Sequence, residues 1–162
     1  MQAWLKEHDI TFDESLIKIN TDPYSITSLQ PLAVGTVICQ IPKTAILSCK
    51  TTAIADILEQ EQLAGILGLA VALMFEWSLG ERSPWSTYIE SLPSLDTVPL
   101  FWTPEQLEHL AGTDLGNALP SERDYFIVDF AELVVPLVAK HGLNKEFMTC
   151  ERFMQATFVH LT

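Results

Sequence analysis

The sequence predicts an α+β protein, with a small antiparallel β part over residues 1–50 and a mostly α-helical stretch from about 51 to 162. Three observations carry this. Short β-branched runs punctuated by Pro, Asp and Gly fill the first 50 residues. Thirteen apolar residues, 63–75, follow, with Ile66, Leu67, Ala70, Val71, Met74 and Phe75 at helical spacing. Beyond residue 103, helix starts and stops alternate with amphipathic runs.

At the start, Ala3, Trp4, His8 and Ile10 share a face of a short helix over 1–9. The run 16–20 (LIKIN) reads as a strand, 21–24 as a turn around Asp22-Pro23, and 25–29 as a second strand. Gly35 marks a turn, and 36–41 (TVICQI) reads as a largely buried strand ended by Pro42. Residues 45–48 read as one more extended piece. Then Ile54, Ile57 and Leu58 fall at i, i+3, i+4 in a helix over 53–59. The helix at 63–77 is apolar almost all round; Glu76 ends its apolar run, and Gly80 is a natural C-terminal stop. Its thirteen apolar residues are too few for a membrane span, which needs about 20. Residues 81–103 form a long connection holding Pro84, Pro93 and Pro99. Thr103-Pro104-Glu105-Gln106 reads as a capping box opening a short helix that stops at Gly112. Ser121 opens another, interrupted by Pro136 and ended at Lys140-His141-Gly142. A last helix begins near Thr149 and carries Phe153, Ala156 and Val159.

The chain has 162 residues, a length suited to one domain or part of one. It is 48% hydrophobic and 19% charged, which excludes intrinsic disorder. The net charge of −12 argues against nucleic-acid binding and favours a basic, Lys-containing protein partner. Cys39, Cys49 and Cys150 are odd in number and not clustered, so they read as reduced thiols, and the expected compartment is the nucleus or cytoplasm. No basic, apolar or Arg-rich leader opens the chain.

Motifs for phosphate cradling, zinc and the hydrolase elbow are missing. Gly35 stands alone, His8, His109, His141 and His160 are scattered, and Ser48, Ser78 and Ser91 lie outside G-x-S-x-G. Glu59 and Glu61 read as a solvated helix end. The informative segment is 84–102, where Trp85, Tyr88, Phe101 and Trp102 need an apolar bed and partners for their polar ends. Such a loop is anchored on the helical layer.

Trp85, Tyr88, Ile89, Leu92 and Pro93, then Pro99, Phe101, Trp102 and Leu110-Ala111-Gly112-Thr113, form one ordered pattern. It is similar to the W-x-x-Y-[IL]-x-x-L-P and L-x-G-T pattern of SET-domain protein-lysine methyltransferases of the Rubisco large-subunit methyltransferase type. The stretch 34–42, with Gly35, Ile41 and Pro42, resembles that family's G-[ET]-x-[LI]-x-x-[IV]-P strand. Trp4-Leu5 and the helix at 63–77 match as well.

The resemblance implies a partial SET domain, with its N-terminal β part at 1–50 and a helical insertion at 51–162. It implies S-adenosylmethionine as cofactor and a protein lysine as acceptor. The family's cofactor turn G-x-G-[LIV] falls on Pro23-Tyr24-Ser25-Ile26, which places Tyr24, Ser25 and Ile26 as cofactor-binding positions without the glycines. The family's S-R motif, N-H-x-x-x-P motif and catalytic tyrosine all follow the helix that here holds Phe153. None of Tyr24, Tyr88 and Tyr125 stands at the catalytic position. No catalytic residue and no metal ligand is therefore assigned. The expectation is a fragment or truncated form of a methyltransferase, inactive alone, or else a non-catalytic interaction module that retains the helical docking surface. Uncovered apolar surface on the 63–77 helix would make such a chain self-associate.

Overall fold

The computed structural model describes residues 2–21 and 24–159. The chain is α+β and divides into two compact units, Met1–Ile46 and Leu47–Thr162.

In the first unit, helix α1 (Gln2–Glu7) is closed by His8, whose ring stacks on Trp4 at 4.2 Å and whose Nδ1 lies 2.9 Å from the Trp4 carbonyl. Asp9, at φ 54°, ends the turn. Strand β1 (Thr11–Phe12) pairs antiparallel with β4 (Cys39–Gln40). Strands β2 (Ile17–Thr21) and β3 (Tyr24–Ser28) form a hairpin in which Asn20 faces Ser25 and Ile19 faces Ile26. The Asp22-Pro23 part of the expected turn lies outside the described residues. Gly35, at φ 87°, makes the expected turn, with the Thr36 hydroxyl donating to the Ala33 carbonyl at 2.8 Å.

The run 36–41 departs from expectation. Only Cys39 and Gln40 enter a ladder, and Val37 and Ile41 are 64% and 53% exposed. β1 offers just two residues to pair with, so alternation alone does not extend the strand. Residues 43–45 form a 3₁₀ turn rather than the start of an extended piece.

The second unit is built around α3 (Gly65–Ser78), with α2 (Ala55–Gln60) before it. Ala70, Val71, Ala72, Leu73 and Met74 are fully buried. The helix α8 (Cys150–Val159) packs along α3, and its Phe153, Met154 and Ala156 are buried in the core together with Trp85, Leu100, Val134 and Leu137. The expectation of uncovered apolar surface is corrected for the middle of α3, which the unit's own elements cover, whereas Ile66 in its first turn stays 49% exposed. Gly68 is required there, since a Cβ would meet the Leu63 carbonyl oxygen at 2.7 Å and Cys49 Sγ at 2.9 Å.

The connection after Gly80 holds α4 (Ser86–Glu90) and a 3₁₀ turn, Pro99–Phe101. The capping box forms as read. Thr103 Oγ1 accepts from the Gln106 amide, and Gln106 Oε1 accepts from the Thr103 amide, at the start of α5 (Pro104–Leu107).

Helix α6 (Asp114–Asp129) starts seven residues before Ser121, which is a correction. Thr113 is the cap, its Oγ1 accepting from the Gly116 amide at 3.1 Å, and Pro120 sits inside the helix. A strong cap and an acidic first turn outweigh one proline. A π-helical turn, Phe130–Val134, leads into α7 (Val135–His141), which Gly142 closes at φ 63°. Among the described residues, no helix is long and apolar enough to cross a membrane.

Candidate functional site

The cofactor positions expected from sequence lie at the start of β3. Ser25 and Ile26 are exposed, Ile26 by 63%. The Asn20 amide donates to Ser25 Oγ at 3.1 Å and to Thr27 Oγ1 at 3.0 Å, so both hydroxyls already serve the hairpin.

The aromatic segment is positioned differently, by a residue that charge alone hides. Glu76, at the end of the apolar run, is fully buried. Its Oε1 accepts from Thr52 Oγ1 and from the Ala53 amide, both at 2.8 Å, and its Oε2 accepts from Ser83 Oγ at 2.7 Å. Ser83 Oγ in turn accepts from the Trp85 amide at 3.0 Å. One carboxylate therefore ties α3 to the approach of α2 and to the turn that delivers buried Trp85. The sequence signalled the burial but not the partners: an acid two residues before the end of a helix apolar on nearly every face has no solvated side to use.

From Trp85 the chain makes α4 and the loop 92–98. The Trp102 indole N–H donates to the Asp96 carbonyl at 2.9 Å, and Phe101 meets Phe158 edge-on at 5.7 Å. Tyr88 is half-buried, and desolvation pushes its phenol above the ordinary value of 10.0, so it stays protonated and is no base at neutral pH. Together these elements enclose a concavity of about 600 Å³. Its walls come from Trp77 of α3, Leu92 and Asp96 of the loop, Arg123 of α6, and Glu151 and Met154 of α8.

Glu61 is not a free helix end. Its Oε1 accepts from Lys140 Nζ at 2.7 Å and lies 2.8 Å from His141 Nε2. The Lys140 bond first, and the His141 bond second, hold its carboxyl below the ordinary value of 4.5. Lys140 and His141 were expected to serve the helix dipole, and they also clip α7 to the end of α2. Among the described residues, no group of His, Cys, Asp and Glu is arranged to hold a metal ion.

Comparison with known proteins bears on the whole arrangement. No protein-family model matches the chain. The N-lysine methyltransferase setd6 of Xenopus tropicalis is 28% identical over 151 residues, which is 86% of this chain and 33% of that protein. SETD6 of Rattus norvegicus is 29% identical over 74% of this chain and 27% of that protein. The SET domain of LSMT bound to methyl-lysine and AdoHcy superposes with a TM-score of 0.72 at 22% identity, over 96% of this chain and 37% of that one. The chain resembles the SET-domain protein-lysine methyltransferases. It spans about a third of the length of the curated relatives it matches. The actin-histidine N-methyltransferase of Drosophila melanogaster is also similar, at 32% over 68% of this chain and 21% of that protein.

Rubisco LSMT, a structural neighbour at TM-score 0.70 and 22% identity, is bound to AdoMet. The residues present in this hairpin do not fit such a cofactor by themselves. Pro23 and Ser25 stand where the resembling turn has its two glycines, Ile26 matches its apolar position, and the Ser25 and Thr27 hydroxyls are engaged with Asn20.

Proposed function

We propose that these residues are part of an S-adenosylmethionine-dependent protein-lysine N-methyltransferase, with the helical unit as the inserted part of its SET domain. The observation that carries it is the alignment with the Xenopus tropicalis N-lysine methyltransferase over 86% of the chain. The cofactor supplies the methyl group when bound. Transfer needs a neutral acceptor nitrogen held in line with it, so positioning supplies most of the effect. The family's S-R motif, N-H-x-x-x-P motif and catalytic tyrosine have no match in these 162 residues, so the chain alone is expected to transfer no methyl group. Its free thiols, Cys39, Cys49 and Cys150, suit a reducing compartment such as the nucleus or cytoplasm.

A second reading is favoured by the hairpin, which lacks the glycines of the cofactor turn. On it, the chain is a non-catalytic interaction module that keeps the helical docking surface. A chimera separates the two. These 162 residues replace the corresponding part of the Xenopus tropicalis enzyme, and transfer from labelled S-adenosylmethionine to a basic protein mixture is measured. Turnover above a heat-killed control supports the enzyme reading. A folded chimera that transfers nothing supports the module. Calorimetry on the 162-residue chain gives S-adenosylmethionine affinity weaker than micromolar; turnover by that chain alone sinks the claim of inactivity.

A further inference from the structure

We propose that the solvent side of the helical rod formed by α6 and α7 is a docking surface for an amphipathic helix of a partner protein, one whose apolar stripe is flanked by basic residues. α6, the π-helical turn and α7 follow one another without a break from Asp114 to His141. The inner side of this rod is accounted for. Phe126 and Phe130 meet Phe153 of α8, and Val134 and Leu137 are buried. A second apolar row lies outside: Tyr125, Val128 and Val135, at i, i+3 and i+10, are all exposed. A surface helix needs one apolar stripe for its own core, and a second one marks a contact with something else. Val135 also borders a groove of about 810 Å³ with Phe130, Val138, Leu143 and Met148, so the outer row ends in a recess that fits an anchoring side chain.

The charges around the row select the partner. Glu122, Asp124, Asp129 and Glu132 stand on the same rod, and none of them is in a salt bridge among the described residues. The nearby cations are engaged or turned away. Arg123 lies about 200° round the helix from Tyr125 and borders the concavity against α8. Lys140 is bound by Glu61, and Lys145 lines the groove beside Glu146, its opposite. A second copy would set the four carboxylates against their own kind, and an anionic bilayer would meet the same repulsion. A helix with leucine-like residues in its stripe and arginine or lysine on its flanks matches both the row and its border. Recognition is of a helix face rather than of one side chain, and it holds whether or not this protein transfers methyl groups.

The experiment is fluorescence anisotropy of a labelled synthetic helix of about 18 residues, titrated with the 162-residue chain. The helix carries leucines at i, i+3, i+7 and i+10, arginine flanks and no lysine. One control has glutamate flanks, and another has the same composition scrambled so that no stripe forms. The arginine-flanked helix binds, and both controls bind at least about tenfold more weakly. The double variant Val128→Ser, Val135→Ser weakens binding about tenfold, the loss of two apolar contacts. The triple variant Glu122→Gln, Asp124→Asn, Glu132→Gln weakens it about tenfold and flattens its salt dependence. All five substitutions are at exposed positions, and unchanged helical circular dichroism verifies the fold. No binding by the arginine-flanked helix, equal binding by either control, or undiminished binding by either variant overturns the proposal. So does a dimer in sedimentation that the double variant dissolves, which would put a second copy on the row, or capture by phosphatidylserine vesicles that the double variant abolishes.

Discussion

Glu76 keeps its carboxylate out of solvent on three hydrogen bonds, and two of the donors, Thr52 and Ser83, are themselves buried. Removing the acceptor orphans all three, at about 1–3 kcal/mol for each that finds no new partner. Glu76→Ala is expected to destabilise by about 3 kcal/mol or more, read as a lower urea midpoint. Glu76→Gln keeps the Oε1 acceptor and should cost about 1 kcal/mol. A Gln variant as unstable as the Ala variant would show that charge, not bonding, holds the site. Glu61 works at the surface, with a pH dependence of definite sign. Its carboxyl is held below 4.5 in the fold by Lys140 and His141, so its contribution is present above that value and is lost as pH falls through the lower folded value. Melts of wild type and Glu61→Gln should differ at pH 7 and converge in acid, once the pH has fallen below the lowered folded value. A gap that widens in acid would refute this.

At the scale of elements, α6 is the least economical piece. Pro120 interrupts the backbone ladder of a helix whose residues face solvent at most positions. Pro120→Ala is expected to stabilise by about 1–3 kcal/mol, visible as a higher melting temperature. A lower melting temperature would show that the proline sets the helix path. The contact of α3 with the chain before it has the opposite tolerance. Gly68→Ala drives a Cβ into the Leu63 backbone and should cost about 1–3 kcal/mol. Pairing it with Cys49→Ala should recover little, because the nearest obstacle is backbone. Full recovery would identify the thiol as the obstacle instead.

Over the whole molecule the core is unevenly divided. Among the described residues, the buried apolar ones of the first unit are Ile17 and Ala45, and the remainder lie in Leu47–Thr162. The hydrophobic effect scales with apolar area removed from water, so nearly all of it acts in the helical unit. A fragment of residues 47–162 is expected to fold alone, with helical circular dichroism and one cooperative melt. A broad, non-cooperative melt would show that it depends on the first 46 residues. The same fragment carries −10 of the net charge of −12, so moderate salt should raise its melting temperature by screening self-repulsion.

By itself the sequence determined the α+β division, the capping box at Thr103, the turns at Gly35 and Gly142, the buried helix and the aromatic loop with its family resemblance. Each rests on local rules: backbone freedom at glycine, reciprocal caps, the 3.6-residue period, and residue order along the chain. Tertiary structure alone decided three things. It shortened β4, because strand length depends on what a neighbour offers. It covered α3 with α8, since an all-round apolar helix states a need without naming what meets it. And it turned Glu76 from the end of an apolar run into the buried support of Trp85, since hydrogen bonds across seven and twenty-four residues of sequence leave no periodic trace.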